Sequence, residues 1–245
     1  MDSVLANKLK LKYSPVAMIL ANTKPADAMQ FKKGTWGCVM AMFSAAAKGK
    51  TAVFDYQTTT CGGGRIGLGF CEEFEGPPGG IEYFLSTGRG EGFPEGEGYK
   101  KTPRLAKAFV DCLPRQTIPF DYVIFKPLDS IDTEVETPVL VSFLVNPDQL
   151  SALVVLANYD RATNDNVKID FGAGCHSIFL LPYAEVGKAN PKAVVGAIDI
   201  TARPYVDPDT LTFTLPWQMF IEMEADVPDS FLEKKDWKKV RKRIR

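Results

Sequence analysis

The stretch Pro138-Val139-Leu140-Val141-Ser142-Phe143-Leu144-Val145-Asn146-Pro147-Asp148-Gln149-Leu150 joins a strand to a helix and decides the fold. Its first half is an apolar, β-branched run typical of a strand. Asn146 can cap a helix, Pro147 suits the first helical position, and Asp148 faces the positive end of the helix dipole. We therefore predict a strand over residues 139–145 and a helix that ends near Ala157.

Strands and helices on both sides of this stretch are mixed, without a regular βαβ order. Helices are predicted over residues 2–11, 38–49 and 104–113, and a helix or its first turns over 175–181. Strands are predicted over residues 15–20, 51–60, 122–125, 194–202 and 211–215. This mixture indicates an α+β fold, in which helices pack on one or more mixed sheets.

The two halves of the chain share a weak internal similarity. Lys50-Thr51-Ala52-Val53 and Lys192-Ala193-Val194-Val195 each begin a β-rich stretch, and each half has a glycine-preceded cysteine before a helix. A degenerate duplication would relate the halves by a pseudo-twofold axis and bring together Cys38, Cys61, Cys175 and Arg203. Chance similarity between short β-rich segments is the simpler explanation.

The composition is that of one globular domain. With 45% hydrophobic and 24% charged residues, the chain can bury most of its apolar surface without disulfides. We place this domain at residues 1–228, and interpret residues 229–245 as a basic C-terminal helix or tail in which Trp237 and Val240 contact the body. The net charge of −1 gives no electrostatic reason to expect nucleic acid or a membrane as partner. The composition leaves open whether the protein binds a small-molecule substrate and whether it forms a homo-oligomer.

The five cysteines are expected to be free thiols. No apolar run approaches the roughly 20 residues that cross a bilayer, and the first residues lack the pattern of a secretory leader. We therefore expect a cytoplasmic protein with reduced cysteines. Their positions, 38, 61, 71, 112 and 175, contain no CxxC pair, which argues against a thioredoxin-type motif, a zinc ribbon or a ferredoxin-type loop. Any metal site has to be assembled from distant segments.

Residues 76–98 are rich in glycine, proline and glutamate, and only Ile81-Glu82-Tyr83-Phe84-Leu85 could pack. We predict a long loop or lid here, because long loops in compact domains are more often functional than idle.

Three cysteines lie in glycine-rich turns. Cys38 and Cys175 each follow a glycine at a predicted helix N-terminus, where the unpaired N–H groups favour a thiolate, the form that binds metal. Cys61 precedes Gly62 and Gly63, whose N–H groups could face a cofactor without obstruction. We predict Cys38, Cys61 and Cys175 as metal ligands and, as cofactor-binding glycines, Gly62, Gly63 and Gly174. The alternative is that these cysteines are small core residues.

The other two cysteines have different surroundings. Cys112 falls on the apolar stripe of the predicted helix 104–113, which predicts a packing role. Cys71 precedes Glu72-Glu73, and acidic neighbours raise the pKa of a thiol, so it is only a reserve ligand.

The run Gly62-Gly63-Gly64-Arg65-Ile66-Gly67 matches the spacing of the dinucleotide fingerprint. That motif needs a long helix after the glycines, so that the pyrophosphate lies at its N-terminus. No long helix is predicted before Gly76-Pro77-Pro78, and we reject a dinucleotide site.

The candidates for a catalytic role are few. His176 is the only histidine, and its position next to Cys175 suits a proton carrier beside a cofactor better than a catalytic dyad. The simpler alternative is a surface histidine or a hydrogen-bonded core histidine. Arg65, Arg89 and Arg203 are candidates for holding an anionic substrate, although exposed arginine is common.

With these residues the chain resembles the family called domain of unknown function 169. The resemblance covers nearly the whole chain apart from the basic tail. It rests on Pro15-Val16-Ala17, Trp36-Gly37-Cys38, Cys61-Gly62-Gly63, Gly67-Leu68-Gly69, Pro138-Val139, Pro147-Asp148-Gln149-Leu150, Gly172-Ala173-Gly174-Cys175 and Ala202-Arg203. The family has no agreed activity, so the resemblance implies no specific reaction. Its members are common in anaerobic lineages, which fits oxygen-sensitive metal chemistry.

The leading hypothesis is an iron–sulfur protein. Three thiolates would ligate a [4Fe–4S] cluster and leave one iron open as a Lewis acid or a sulfur-binding site. This suits a lyase or desulfidase-like enzyme acting on a small anionic or sulfur-containing metabolite under the 76–98 lid, with Arg65 or Arg203 positioning the anion. A fourth thiolate from Cys71 would instead indicate electron transfer.

Two alternatives stay open. The first is a non-catalytic protein that binds a small molecule or partner and uses its cysteines structurally. The second is a zinc protein, since three cysteines and His176 give a suitable ligand count.

Overall fold

Seven strands form one mixed sheet through the middle of the protein. The computed structural model describes residues 1–74, 79–88 and 95–244. The strands are Val16–Ala21 (β1), Ala52–Phe54 (β2), Tyr122–Pro127 (β3), Leu140–Val145 (β4), Val167–Lys168 (β5), Ala193–Gly196 (β6) and Leu211–Pro216 (β7). Their order is β2-β3-β1-β4-β7-β6-β5, and only β5 and β6 pair in parallel. The predicted α+β fold is confirmed.

Helices cover both faces of the sheet. They are Val4–Leu9 (α1), Val39–Ala47 (α2), Gly62–Gly67 (α3), Ile81–Phe84 (α4), Pro103–Asp111 (α5), Pro147–Leu156 (α6), Leu181–Tyr183 (α7), Trp217–Asp226 (α8) and Lys235–Arg241 (α9). A π-helical turn over His176–Leu180 leads directly into α7. None of the helices in the described residues is long and apolar enough to cross a membrane.

The sheet separates two hydrophobic cores, and its strands alternate between them. In β1, Ala17 and Ile19 join the core beneath α1, α6, α8 and α9. Val16 and Met18 join the other core, which contains α2 and the π-helical turn. Because both faces are covered, all six residues of β4 are buried, which explains why five of them are apolar; the sixth, Ser142, shares a hydrogen bond with Thr214 Oγ1 of β7 at 2.7 Å. All three predicted metal-ligand cysteines lie on the α2 side.

The order of the strands has an internal symmetry. β1 and β4 form the central pair, β3 and β7 lie outside them, and β2 and β6 lie outside those. The two similar stretches at Lys50 and Lys192 therefore lead into strands at matching positions. This is the arrangement that a degenerate duplication requires, and the duplication itself stays a prediction.

Local sequence signals fix several elements where they were predicted. The Asn146 side chain accepts a hydrogen bond from Gln149 N at 3.0 Å, and the Gln149 side chain accepts one from Asn146 N at 2.9 Å, forming a capping box that starts α6. The predicted strand 51–60 is wrong in its second half. Asp55 accepts a hydrogen bond from Thr58 N at 2.6 Å, and this turn ends β2 at Phe54. Helix α8 and strand β5 were not predicted.

The predicted 76–98 loop contains a short helix and folds back on itself. Glu97 N donates to Phe84 O at 2.7 Å, and Gly98 N donates to Ser86 O at 3.0 Å, so residues 95–98 lie against the end of α4. Residues 75–78 and 89–94 lie outside the described residues, and Arg89 with them. A lid function stays a prediction.

The basic C-terminal segment packs on the body. Trp237 is 5% exposed, lies in the core beneath α1, and donates from Nε1 to Lys8 O at 3.2 Å. Ile244 is also buried, and Arg243 pairs with Asp148 at the start of α6. Residues 229–244 are thus part of the same core as α1 and α6.

We expect Trp237→Ala to lower the free energy of unfolding by about 3–5 kcal/mol, because it removes a buried indole and leaves Lys8 O without that donor. Urea unfolding of the full chain measures this. Lys239→Ala, on the exposed face of the same helix, is the matched control and should change stability by less than about 0.5 kcal/mol. Equal effects of the two changes would contradict the packing role of the C-terminal segment.

Candidate functional site

Three cysteines from distant segments line one cavity of about 610 Å³. Cys38 directly precedes α2, Cys61 directly precedes α3, and Cys175 directly precedes the π-helical turn. The wall of the cavity also includes Gly62, Gly63 and Gly174, the glycines predicted to bind a cofactor. The cavity therefore collects all six residues that the sequence assigned to a metal or cofactor.

Glycines at the contact points allow these three helical starts to approach one another. A Cβ at Gly64 would lie 3.2 Å from Val39 Cγ2, in the first turn of α2. A Cβ at Gly67 would lie 2.6 Å from Cys175 Sγ, and one at Gly174 would lie 2.6 Å from Met40 Cγ. Real Cβ atoms do not approach so closely, so the last two positions require glycine unless their neighbours move.

Burial opposes ionisation of the cavity thiols. Burial raises the pKa of Cys38, although the N–H groups of Met40 and Ala41 at the start of α2 oppose this shift. Burial raises the pKa of Cys175 well above its ordinary value, and repulsion from the other two cysteines and from Asp199 adds to the shift. The helix-terminus effect expected from the sequence is present at Cys38 and is outweighed. Without a cation beside them, Cys38 and Cys175 are thiols at neutral pH.

Cys175 is held in place as a thiol. It is 7% exposed, and its Sγ donates to Gly63 O at 3.2 Å. Within the described residues, no group of three or more His, Cys, Asp or Glu side chains is placed to hold a metal ion.

His176 lines the same cavity and lacks hydrogen-bond partners. It is 3% exposed, and neither ring nitrogen makes a hydrogen bond within the part of the chain that the structure describes. Burial lowers the pKa of His176 to about 4, and the nearby Gly63 backbone opposes this shift. The imidazole is therefore neutral near pH 7, and its unpaired nitrogens cost free energy that a ligand would recover.

Two carboxyl groups line the cavity and differ in their surroundings. Asp199 accepts hydrogen bonds from Tyr99 Oη at 2.7 Å, Gly174 N at 3.0 Å, and Thr201 N and Oγ1 at 3.0 and 2.8 Å. The Glu97 side chain has no hydrogen bond or ion pair to any described residue. Burial and repulsion from Asp199 raise the pKa of Glu97 to about 7.

The rest of the wall is mostly apolar and aromatic. The described part of the wall includes the aromatic side chains of Trp36, Phe74, Phe84, Tyr99, Phe109 and Phe171. Trp36 is 64% exposed, whereas Phe109 and Phe171 stack on each other with centroids 5.3 Å apart. Such walls keep water from a bound molecule and leave its polar contacts to a few groups.

The candidate arginines do not line this cavity. The Arg203 guanidinium donates to the carbonyl groups of Ala197, Asp207, Pro208 and Thr210, so it joins β6 to the loop before β7. Arg65 donates from Nε to Thr59 O at 2.7 Å and lies over the Tyr56 ring. The described part of the wall contains no lysine or arginine, which removes the basis for an anion held by Arg65 or Arg203.

Neither of the remaining cysteines lines the cavity. The predicted packing role of Cys112 is wrong: α5 ends at Asp111, and the thiol is exposed at its C-terminal cap. Cys71 is half-buried and lies outside the described wall. The sequence did not single out Glu97, Tyr99 or Asp199, because each lies outside any motif and reaches the site only through the fold.

Gly67→Ala should destabilise the protein by about 1–3 kcal/mol, because the new methyl group has to displace Cys175. Gly63→Ala, in the same helix, is the matched control. Its Cβ would meet only Cys61 Sγ at 3.9 Å, and a small gain in helix propensity offsets any loss. Urea unfolding and the rate at which Cys175 reacts with a thiol reagent measure both variants. Equal behaviour of the two would contradict the close contact at Gly67.

The raised pKa of Glu97 predicts a pH dependence of stability. The folded protein binds more protons than the unfolded chain between pH 4.5, the ordinary pKa, and about 7, so Glu97 costs stability as the pH rises through this window. Glu97→Gln removes that cost. Relative to the unaltered chain, it should gain roughly 1–3 kcal/mol between pH 4.5 and about pH 8 in urea unfolding. The exposed neighbour Glu95, changed to Gln, should show no such gain, and a gain there of equal size would contradict the assignment.

One known protein family matches nearly all of the chain. The family called domain of unknown function 169, described as uncharacterised ArCR, matches residues 4–226. No curated protein and no solved structure matches the chain. The matched range contains Cys38, Cys61 and Cys175 together with the other cavity residues. The chain therefore belongs to the domain of unknown function 169 family.

Proposed function

We propose that Cys38, Cys61 and Cys175 hold a [4Fe–4S] cluster and that the cavity binds a small molecule beside it. The observation that carries this proposal is the meeting of three thiols, from three segments distant in sequence, on one largely buried wall. Structural cysteines have no reason to converge in this way, because a buried thiol packs as well alone as beside others.

The electrostatics of the wall support a cationic metal centre. Burial and mutual repulsion raise the pKa values of Cys38 and Cys175, so the protein alone keeps these groups protonated. Metal ions bind thiolates and release the protons, and their positive charge removes the repulsion among the three sulfurs. Because these thiols do not ionise together in the protein alone, the site holds them as thiolates only when a positively charged metal centre is bound.

A cluster tolerates a wider spacing of its thiolate ligands than a single zinc ion does. One zinc ion needs four ligand atoms at about 2.0–2.3 Å. In a [4Fe–4S] cluster each thiolate binds a different iron, so the ligand sulfurs lie further apart. His176, the fourth ligand of the zinc hypothesis, lines the same cavity and is not a ligand in this proposal.

Three protein thiolates favour small-molecule chemistry over electron transfer. When bound, such a cluster supplies an open iron that acts as a Lewis acid or takes a sulfur ligand. The apolar walls exclude water, and the neutral His176 imidazole keeps one nitrogen to donate and one to accept a proton. Cys71 lies outside the described part of the wall, which supports three cysteine ligands rather than four. We therefore propose a lyase or desulfidase-like enzyme.

Metal and sulfide analysis of protein purified without oxygen tests the cluster. We expect brown protein with about four iron and four sulfide per chain. Cys38→Ser, Cys61→Ser and Cys175→Ser should each lose most of the iron, because each removes one ligand. Cys112→Ser is the matched control, since its thiol is exposed and outside the cavity, and should keep the full iron content.

Two results would overturn the proposal. The first is colourless, iron-free protein after anaerobic reconstitution with iron and sulfide, with or without stoichiometric zinc. The second is equal iron loss in Cys112→Ser and Cys175→Ser. Full iron content in Cys71→Ser would support three-cysteine ligation, whereas loss of iron there would indicate a four-cysteine site.

A further inference from the structure

We propose that the small molecule bound in this cavity is an organic cation, with an amine or ammonium group on an apolar body, and that Glu97 pairs with its charge. The inference rests on the cavity being the ligand site of the proposed function. It does not depend on the cluster being present.

The charged side chains in the described part of the wall are all acidic. Glu97 and Asp199 line the cavity, and its described wall has neither lysine nor arginine. The two arginines nearest in sequence to the cavity cysteines and Asp199 are occupied elsewhere, Arg203 by backbone carbonyls and Arg65 by Thr59 O. An anionic ligand would meet carboxylates here, whereas a cation would be attracted.

Only one of the two carboxylates is available to a ligand. Asp199 is 5% exposed and already accepts hydrogen bonds from Tyr99, Gly174 and Thr201. Its oxygens are therefore occupied by the segment that carries Cys175 and by Tyr99 and Thr201. Glu97 lies near Asp199, half-buried, with no partner for its carboxyl group among the described residues. A half-buried carboxyl group beside a second carboxylate has a marked affinity for a cation.

The aromatic wall is suited to the same ligand. The faces of aromatic rings attract ammonium groups, and the attraction is strongest where water is excluded. The Lys100 ammonium, which does not line the cavity, already lies 4.5 Å from the Phe109 centroid and 5.5 Å from that of Phe171. Phe109 and Phe171 already contact this ammonium group, so the ring surface offered to a ligand is that of Phe84 and Trp36.

A second, independent observation indicates that a ligand completes this site. His176 lines the cavity, is 3% exposed, and has both ring nitrogens unpaired within the described residues. Buried polar groups are nearly always paired in a complete site. An amine with N–H groups offers a donor for the imidazole acceptor as well as a charge for Glu97.

Isothermal titration calorimetry with two matched probes tests the inference. The probes are 2-phenylethylammonium and 3-phenylpropionate, which share an aromatic body and carry opposite charges. We expect the cation to bind at least about tenfold more tightly than the anion, because it gains a charge-assisted pair that the anion lacks. Glu97→Gln should weaken cation binding roughly tenfold and leave anion binding unchanged or improved. Glu95→Gln is the matched control and should change neither.

The titrations are run on the full chain both after aerobic purification and after anaerobic reconstitution with iron and sulfide. Cation selectivity that depends on Glu97 in both preparations supports the inference whether or not iron is bound, so failure of the cluster proposal is seen separately. Anion binding equal to or tighter than cation binding overturns the inference. So does an unchanged cation affinity in Glu97→Gln, or the absence of cation binding in both preparations.

Discussion

The site depends on the close approach of three helical starts, and glycine makes that approach possible. Gly64 faces Val39 in α2, Gly67 faces Cys175, and Gly174 faces Met40, so each segment touches the other two where side chains would otherwise separate them. Cysteines placed at the first residue of each segment then have to share one wall. The positions of the thiols follow from this packing, and so does the cavity they border.

This packing gathers acidic groups that cannot all ionise. Burial raises the pKa values of Cys38, Cys175 and Glu97, and Asp199, whose oxygens accept four hydrogen bonds, adds to all three shifts. One buried aspartate thus couples the thiol side of the cavity to the carboxyl side. The described part of the wall contains no lysine or arginine, and the proposed cluster and the proposed organic cation would each supply positive charge. His176, next to Cys175 in sequence, lines the same wall, and its ring nitrogens make no hydrogen bond within the described residues.

The sheet separates the core that contains the C-terminal segment from the candidate site. The core beneath α1, α6, α8 and α9 contains Trp237, which joins the C-terminal segment to the end of α1 through a hydrogen bond to Lys8 O. The site occupies the opposite face, where α2 and the π-helical turn pack on the strands. A π-helical turn and glycine-rich contacts are less regular than ordinary packing, and they occur here at the site, where such departures are common. The regular core on the other face supports them.

The sequence by itself determined the elements whose signals are local. The capping box at Asn146, the apolar run of β4 and the glycine-cysteine turns at Cys38 and Cys175 depend on neighbouring residues, and the predicted strand, helix and turns lie there. The family and the α+β fold follow from the same local patterns. The early end of β2 follows from the turn in which Asp55 accepts a hydrogen bond from Thr58 N, and Arg203 donates to carbonyl groups within seven residues of it, so these two departures from prediction are local in sequence. Helix α5 ends at Asp111 and leaves Cys112 exposed. Only the tertiary structure decided that Glu97, Tyr99 and Asp199 join the cysteines, because burial and charge at a cavity wall arise from segments that meet after folding.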